Sequence, residues 1–127
     1  MIRTLLIGQQ PETVDFSDPM LPYGFTAETI RKSLTVGLEQ MRNRGWHADL
    51  LQIIPDESAA TAIRDWLSNT APYDCIVIGA GVRIPVKNLT FFERVVNAVH
   101  RFAPNAAIGF NTRPEETADA VKRLLKI

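Results

Sequence analysis

Four short apolar runs punctuate the chain, at Ile2 to Ile7, Ala48 to Ile54, Cys75 to Ile78 and Ala106 to Phe110. Each has strand length, and Cys75-Ile76-Val77-Ile78 lacks polar alternation, as a strand covered on both faces does. Between the runs the apolar spacing changes to three and four residues. Ala27, Ile30, Leu34, Leu38 and Met41 recur at that step, with Thr26 placed to cap the start and Gly45 to end it, which predicts an amphipathic helix. A second helix is predicted over about Ser58 to Ser68, with Ala59, Ala60, Ile63, Trp66 and Leu67 on one stripe. A third opens on a capping box, Thr90 with Glu93, and carries Phe92, Val95, Val96, Val99 and Phe102. The fourth runs from about Pro114 to Leu125, with Pro114 in the first turn, where its missing N–H is harmless, and Ala118, Val121, Leu124 and Leu125 facing inward.

Strands alternating with helices predict an α/β fold. The expected architecture is one domain over 1–127: a three-layer, doubly wound, Rossmann-like or flavodoxin-like α/β/α sandwich of four parallel strands in the order 2-1-3-4. One connection departs from the usual two to six residues, namely the segment at about 9–25. Its Pro11, Pro19 and Pro22, interleaved with Val14, Phe16, Met20, Leu21, Tyr23 and Phe25, predict a semi-rigid flap held by apolar anchors. Loops of this length commonly serve as lids or interaction surfaces.

Composition narrows the function classes. Hydrophobic residues make up 46% and charged residues 22%, the balance of an ordinary globular chain. Fourteen basic and fourteen acidic residues cancel, so no global field favours nucleic acid or anionic lipid. A single cysteine and no Cys/His cluster point to a reducing, cytoplasmic setting, without a metal site. No stretch has the length of a signal peptide or a membrane span, so no membrane partner is expected.

The stretch Ile78-Gly79-Ala80-Gly81-Val82-Arg83-Ile84-Pro85 begins like a dinucleotide fingerprint but fails it. The third glycine position is Ile84, Pro85 follows at once, and no helix starts where the pyrophosphate would need its N-terminus. No cofactor is read from it. In a sheet of order 2-1-3-4 the ligand-binding edge lies where strand order reverses, between the ends of strands 1 and 3. Gly8, Gln9 and Gln10 would gather there with Gly79, Gly81 and Arg83, bordered by Asn111 and Arg113 after strand 4. Arg113 opens a helix, where the dipole disfavours a cation. Either a bound anion offsets that, or a carboxylate such as Glu115, Glu116, Asp15 or Asp18 does, and Arg83 has the same two readings. Thr112 or Asn111 is expected to cap the last helix, with Glu115 as the box partner of Thr112.

Catalytic constellations are thin. His47 falls at the wrong end of the sheet, His100 late in a helix, and Cys75 inside a strand. The flap residues Asp15, Ser17 and Asp18 could supply acid-base groups if they close on the site, or they are turn formers. The acidic residues of a receiver domain and the phosphate loop of a flavodoxin are both missing.

The phrases Asp18-Pro19-Met20-Leu21-Pro22, Ile78-Gly79-Ala80-Gly81-Val82-Arg83 and Phe110-Asn111-Thr112-Arg113-Pro114 resemble those of small, uncharacterised, single-domain bacterial α/β proteins. The resemblance covers most of the chain and implies no activity. The leading expectation is therefore a domain that binds a small anionic ligand, phosphate or carboxylate bearing. The alternatives are a non-catalytic protein-interaction module and a hydrolase or transferase using the flap carboxylates. A homodimer is expected through the broad apolar face of helix 3, with Phe91, Val95 and Phe102, or through the uncharged edge strand 4.

Overall fold

Successive side chains of an extended strand point to opposite faces, and that period of two sorts the core. Leu5, Ile7, Ile76 and Ile78 join one apolar cluster, and Leu6, Cys75 and Val77 join the other. All seven have no exposed surface. Burying each leucine or isoleucine contributes about 1.5–3 kcal/mol.

The computed structural model describes residues 1–127. The strands are β1 (Arg3–Gln9), β2 (His47–Ile53), β3 (Cys75–Ile78) and β4 (Ala107–Phe110), and the helices are α1 (Ala27–Asn43), α2 (Ser58–Ser68), α3 (Leu89–Phe102) and α4 (Thr117–Leu125). All pairings are parallel and the order is β2-β1-β3-β4. α2 and α3 pack on the face built by Leu5 and Ile7, while α1 and α4 cover the face built by Leu6. The doubly wound α/β/α arrangement read from the sequence is the observed one. No helix is long and apolar enough to cross a membrane.

Local signals account for most element ends. The Thr26 hydroxyl accepts from the Thr29 amide while the Thr29 hydroxyl accepts from the Thr26 amide, so α1 starts on a reciprocal cap. Gly45, at φ +83, turns the chain out of it.

Two caps differ from expectation. The tight 3-10 turn Val86–Asn88 feeds straight into α3, so Thr90 already lies inside the helix and makes no box with Glu93. Asn88 occupies the cap position, but its side chain donates to the Gly81 carbonyl. Likewise a 3-10 turn, Pro114–Glu116, precedes α4, and neither Asn111 nor Thr112 caps that helix. β1 also runs two residues further than expected, because Gly8 and Gln9 keep pairing with Gln52 and Ile53.

The width of the α3 apolar face has an internal explanation. Phe91 and Val95 are buried within the chain, and Phe92, Val96 and Phe102 pack against the same cluster, because α3 faces the sheet and α2 together. The helix 3 homodimer built on Phe91 and Val95 is thus corrected: those side chains are not available to a partner.

Candidate functional site

The sheet brings the ends of β1 and β3 side by side, with the Gly79 amide donating to the Ile7 carbonyl at 2.8 Å. A Cβ at Gly79 would stand 3.2 Å from that carbonyl oxygen, so this glycine serves close strand approach. At the end of β1 the Gln9 side chain and the Gln10 main chain are engaged internally. Gln9 is buried, and its amide donates to the carbonyl and hydroxyl of Thr13 at 2.9 and 3.2 Å. The Gln10 amide donates to Ile53, and its carbonyl receives the Thr13 hydroxyl. Gly8 lies within β1.

After β3 the chain forms the 3-10 turn Ala80–Val82 and then the turn Val86–Asn88, so the first helix begins only at Leu89. The glycine turn therefore presents no helix N-terminus. Asn111 locks this turn to the end of β4. Its side-chain carbonyl accepts from the Ala80 amide and its amide donates to the Thr117 hydroxyl, both at 3.0 Å, and that hydroxyl donates to Pro114 O at 2.6 Å. The Asn111 main-chain carbonyl receives Arg83 Nη2 at 2.7 Å. Arg83 also stands over the Phe110 ring, 5.9 Å from its centroid.

Arg83 lines a cleft of about 270 Å³ at the carboxyl end of β4. Phe110, Asn111 and Thr112 form the strand side, and Glu116, Asp119 and Arg123 the helix side. Arg123 Nη2 donates to the Phe110 carbonyl at 3.3 Å, which covers part of the exposed edge of the sheet. Neither Arg83 nor Arg123 pairs with any carboxylate of the chain, whereas the acidic side chains of the cleft have partners. Glu116 accepts from the Thr112 hydroxyl at 2.5 Å and from Arg113 at 3.2 Å, and these bonds hold its carboxyl below the usual range. Asp119 stands 3.9 Å from Arg44.

Of the two arginines singled out from sequence, Arg83 thus reaches the cleft, and Arg113 pairs with Glu116 outside it. Arg123 was missed. The signal for it was present in the spacing Glu116, Asp119, Arg123, steps of three and four that place all three on one side of a helix.

The flap is fastened by charge. Lys87 pairs with Asp15 and lies 3.8 Å from Asp18, and Glu12 pairs with Arg31 of α1. Ser17 donates to Asp15 through its amide and its hydroxyl, and the Met20 amide donates to Asp18. The expected apolar anchors are only partly used. Phe16 and Phe25 pair at 6.4 Å between ring centroids, but Tyr23 is fully exposed and Met20 is about half exposed. No flap carboxylate lines the cleft that holds Arg83.

Lys87, followed by Ser17, brings the Asp15 carboxyl down to about 2. A depressed carboxylate stabilises its contacts above its unperturbed value of 3.8 and loses that contribution as pH falls toward 2. Amide exchange over residues 15–25, compared at pH 5 and near pH 2 after correction for intrinsic rates, is expected to show flap opening at the lower pH only. Lys87→Met is expected to raise opening a few-fold at pH 5, the scale of an exposed ion pair, and to add little near pH 2, where the wild-type pair is itself being lost. Equal protection in variant and wild type at pH 5 would show that the latch contributes nothing.

Other titratable groups have structural partners. At the amino end of the sheet the Asp49 carboxylate accepts from Tyr73 OH at 2.6 Å and lies 2.7 Å from His47 Nε2, while Trp66 Nε1 donates to the Tyr73 oxygen. Partial burial raises Asp49, but the bonds from Tyr73 and His47 outweigh it and the net shift is downward. Burial, with Asp49 next, raises Tyr73. Burial pushes the Cys75 thiol up to about 11, an unreactive thiol. His100 is exposed in the last turn of α3. Among known proteins, no family profile matches the chain and no curated sequence is significantly similar to it.

Proposed function

We propose that the protein binds a small anionic ligand, phosphate or carboxylate bearing, at the carboxyl edge of its sheet, in the cleft beside β4. One observation carries the reading: two guanidiniums line the cleft, each tied to a main-chain carbonyl, and neither has a carboxylate within 4 Å. A carbonyl orients a guanidinium without cancelling its charge, so both retain donors and positive potential for an incoming anion. The acidic side chains of the cleft are instead engaged by Arg113, Thr112 and Arg44.

The test is a thermal melt in the presence of phosphate, acetate, succinate and phosphorylated compounds. A ligand at a hundred times its Kd stabilises by about 2.7 kcal/mol, which raises the melting temperature of a domain this size by roughly 10 °C. Arg83→Ala and Arg123→Ala are each expected to abolish most of that gain. The reading fails if no anion raises the wild-type transition or if both variants keep the full shift.

A second reading, a protein-interaction surface on the flap and the entry to α3, draws on the exposed apolar side chains Tyr23, Val86 and Leu89, the last two at 75% and 63% exposure. If a second copy of the chain docks there, light scattering gives a dimer mass that Val86→Asp with Leu89→Asp returns to monomer. A monomer mass for the wild type excludes that form of it.

A further inference from the structure

The way the two arginines are held narrows the ligand class, an inference that rests on the anion-binding reading above. The Ala107 amide donates to Asp74 on the β3 side. Carbonyls of an extended strand alternate in direction, so Asn111 points its carbonyl toward β3 as Ala107 does, and Phe110 points outward. Arg83 takes the inner carbonyl and Arg123 the outer one. The two guanidiniums therefore reach the cleft from opposite flanks of the strand end.

A phosphate cradle needs free main-chain amides. In the glycine turn the amides of Gly79, Ala80, Val82, Arg83 and Ile84 are already engaged, with Ile7, Asn111, Gly79 and, for the last two, Ala80, and Gly81, whose amide has no such partner, does not line the cleft. The charged donors of the cleft are two separate side-chain forks, and a guanidinium fork matches one carboxylate with two parallel bonds. Size and charge add two limits. A cleft of about 270 Å³ falls just below the range of roughly 300–1,000 Å³ for drug-sized ligands, which matches a short ligand. The carboxylates of Glu116 and Asp119 on one wall repel dense negative charge and accept a donor.

We infer that the cleft takes a short dicarboxylate that also carries an ammonium or hydroxyl group. One carboxylate sits on Arg83, the other on Arg123, and the donor group meets Asp119.

Calorimetric titrations at fixed ionic strength with acetate, inorganic phosphate, succinate and aspartate test this. Succinate and aspartate are expected to bind about tenfold or more tightly than acetate or phosphate, the worth of a second charge-assisted pair. Arg83→Lys and Arg123→Lys keep the charge and remove the fork, and each is expected to reduce succinate to the acetate level with an unchanged urea midpoint. Asp119→Asn is expected to weaken aspartate severalfold relative to succinate, and succinate itself is expected to bind no less tightly because a repelling charge is removed. Acetate or phosphate binding as tightly as succinate, or succinate binding insensitive to either lysine variant, overturns the dicarboxylate assignment while the anion-binding reading stands. Equal loss of both ligands in Asp119→Asn overturns the donor contact. No heat with any of the four overturns both.

Discussion

Replacing Gly37 by alanine is expected to destabilise the protein by about 2 kcal/mol, against the normal direction of a glycine-to-alanine change in a helix. In an ordinary helix interior alanine is better by about 1 kcal/mol. Gly37 lies within α1, but an added Cβ would stand 2.4 Å from the Pro114 carbonyl oxygen and 3.0 Å from its carbon. Both are backbone atoms and cannot rotate aside. Relief requires separating α1 from the turn Pro114–Glu116, and overpacking of this kind costs roughly 1–3 kcal/mol or more. Urea denaturation is expected to show a lower midpoint with an unchanged slope, and the melting temperature is expected to fall by several degrees. Gly81→Ala, where an added Cβ meets nothing within 4 Å, is the control and is expected to be near neutral. A stability gain in Gly37→Ala would mean that α1 and the turn are not in contact. The site is affected as well, since this turn leads into the helix that carries Arg123.

A larger loss, about 3 kcal/mol, is expected for Asn111→Ala. Asn111 is 4% exposed and its amide group joins the Ala80 amide to the Thr117 hydroxyl. Truncation leaves the Ala80 N–H without its acceptor, which alone costs about 1–3 kcal/mol when buried. Loss of the Thr117 contact and the space left behind add to it. Equilibrium denaturation measures the sum. Anion affinity is expected to fall with it, because the Asn111 side chain holds the glycine turn that leads to Arg83, although the main-chain carbonyl that receives the guanidinium is kept in the variant. A stability loss with binding unchanged would show that Arg83 is positioned without the Asn111 side chain.

Much of this architecture was legible as a pattern. The unbroken apolar run at Cys75–Ile78 announced a central strand, and the three- and four-residue spacing from Ala27 to Met41 announced α1 with both its ends. Caps were less legible where a 3-10 turn intervenes. Thr90 with Glu93 has the letters of a capping box, yet the turn at Val86–Asn88 starts the helix before Thr90 can act.

The site was legible in part. Reversal of strand order drew attention to the ends of β1 and β3, and Arg83 does line a cleft at the carboxyl edge. The cleft opens one strand further along, because Gln9 and Gln10 bond to the turn that follows them and Asn111 closes the glycine turn. Partner choice among side chains far apart in sequence is a tertiary property. Arg113 pairs with Glu116, three residues away, and Arg123 lines the cleft instead. Lys87, 72 residues from the Asp15 it fastens, had no local signal at all.

The carbonyls beneath Arg83 and Arg123 bear on the thermodynamics of any anion that docks between them. A free arginine loses up to about 2 kcal/mol of rotamer entropy when it is immobilised. Here the carbonyls of Asn111 and Phe110 restrict both side chains as the chain folds. Docking therefore leaves little side-chain freedom to lose, and the association is preorganised.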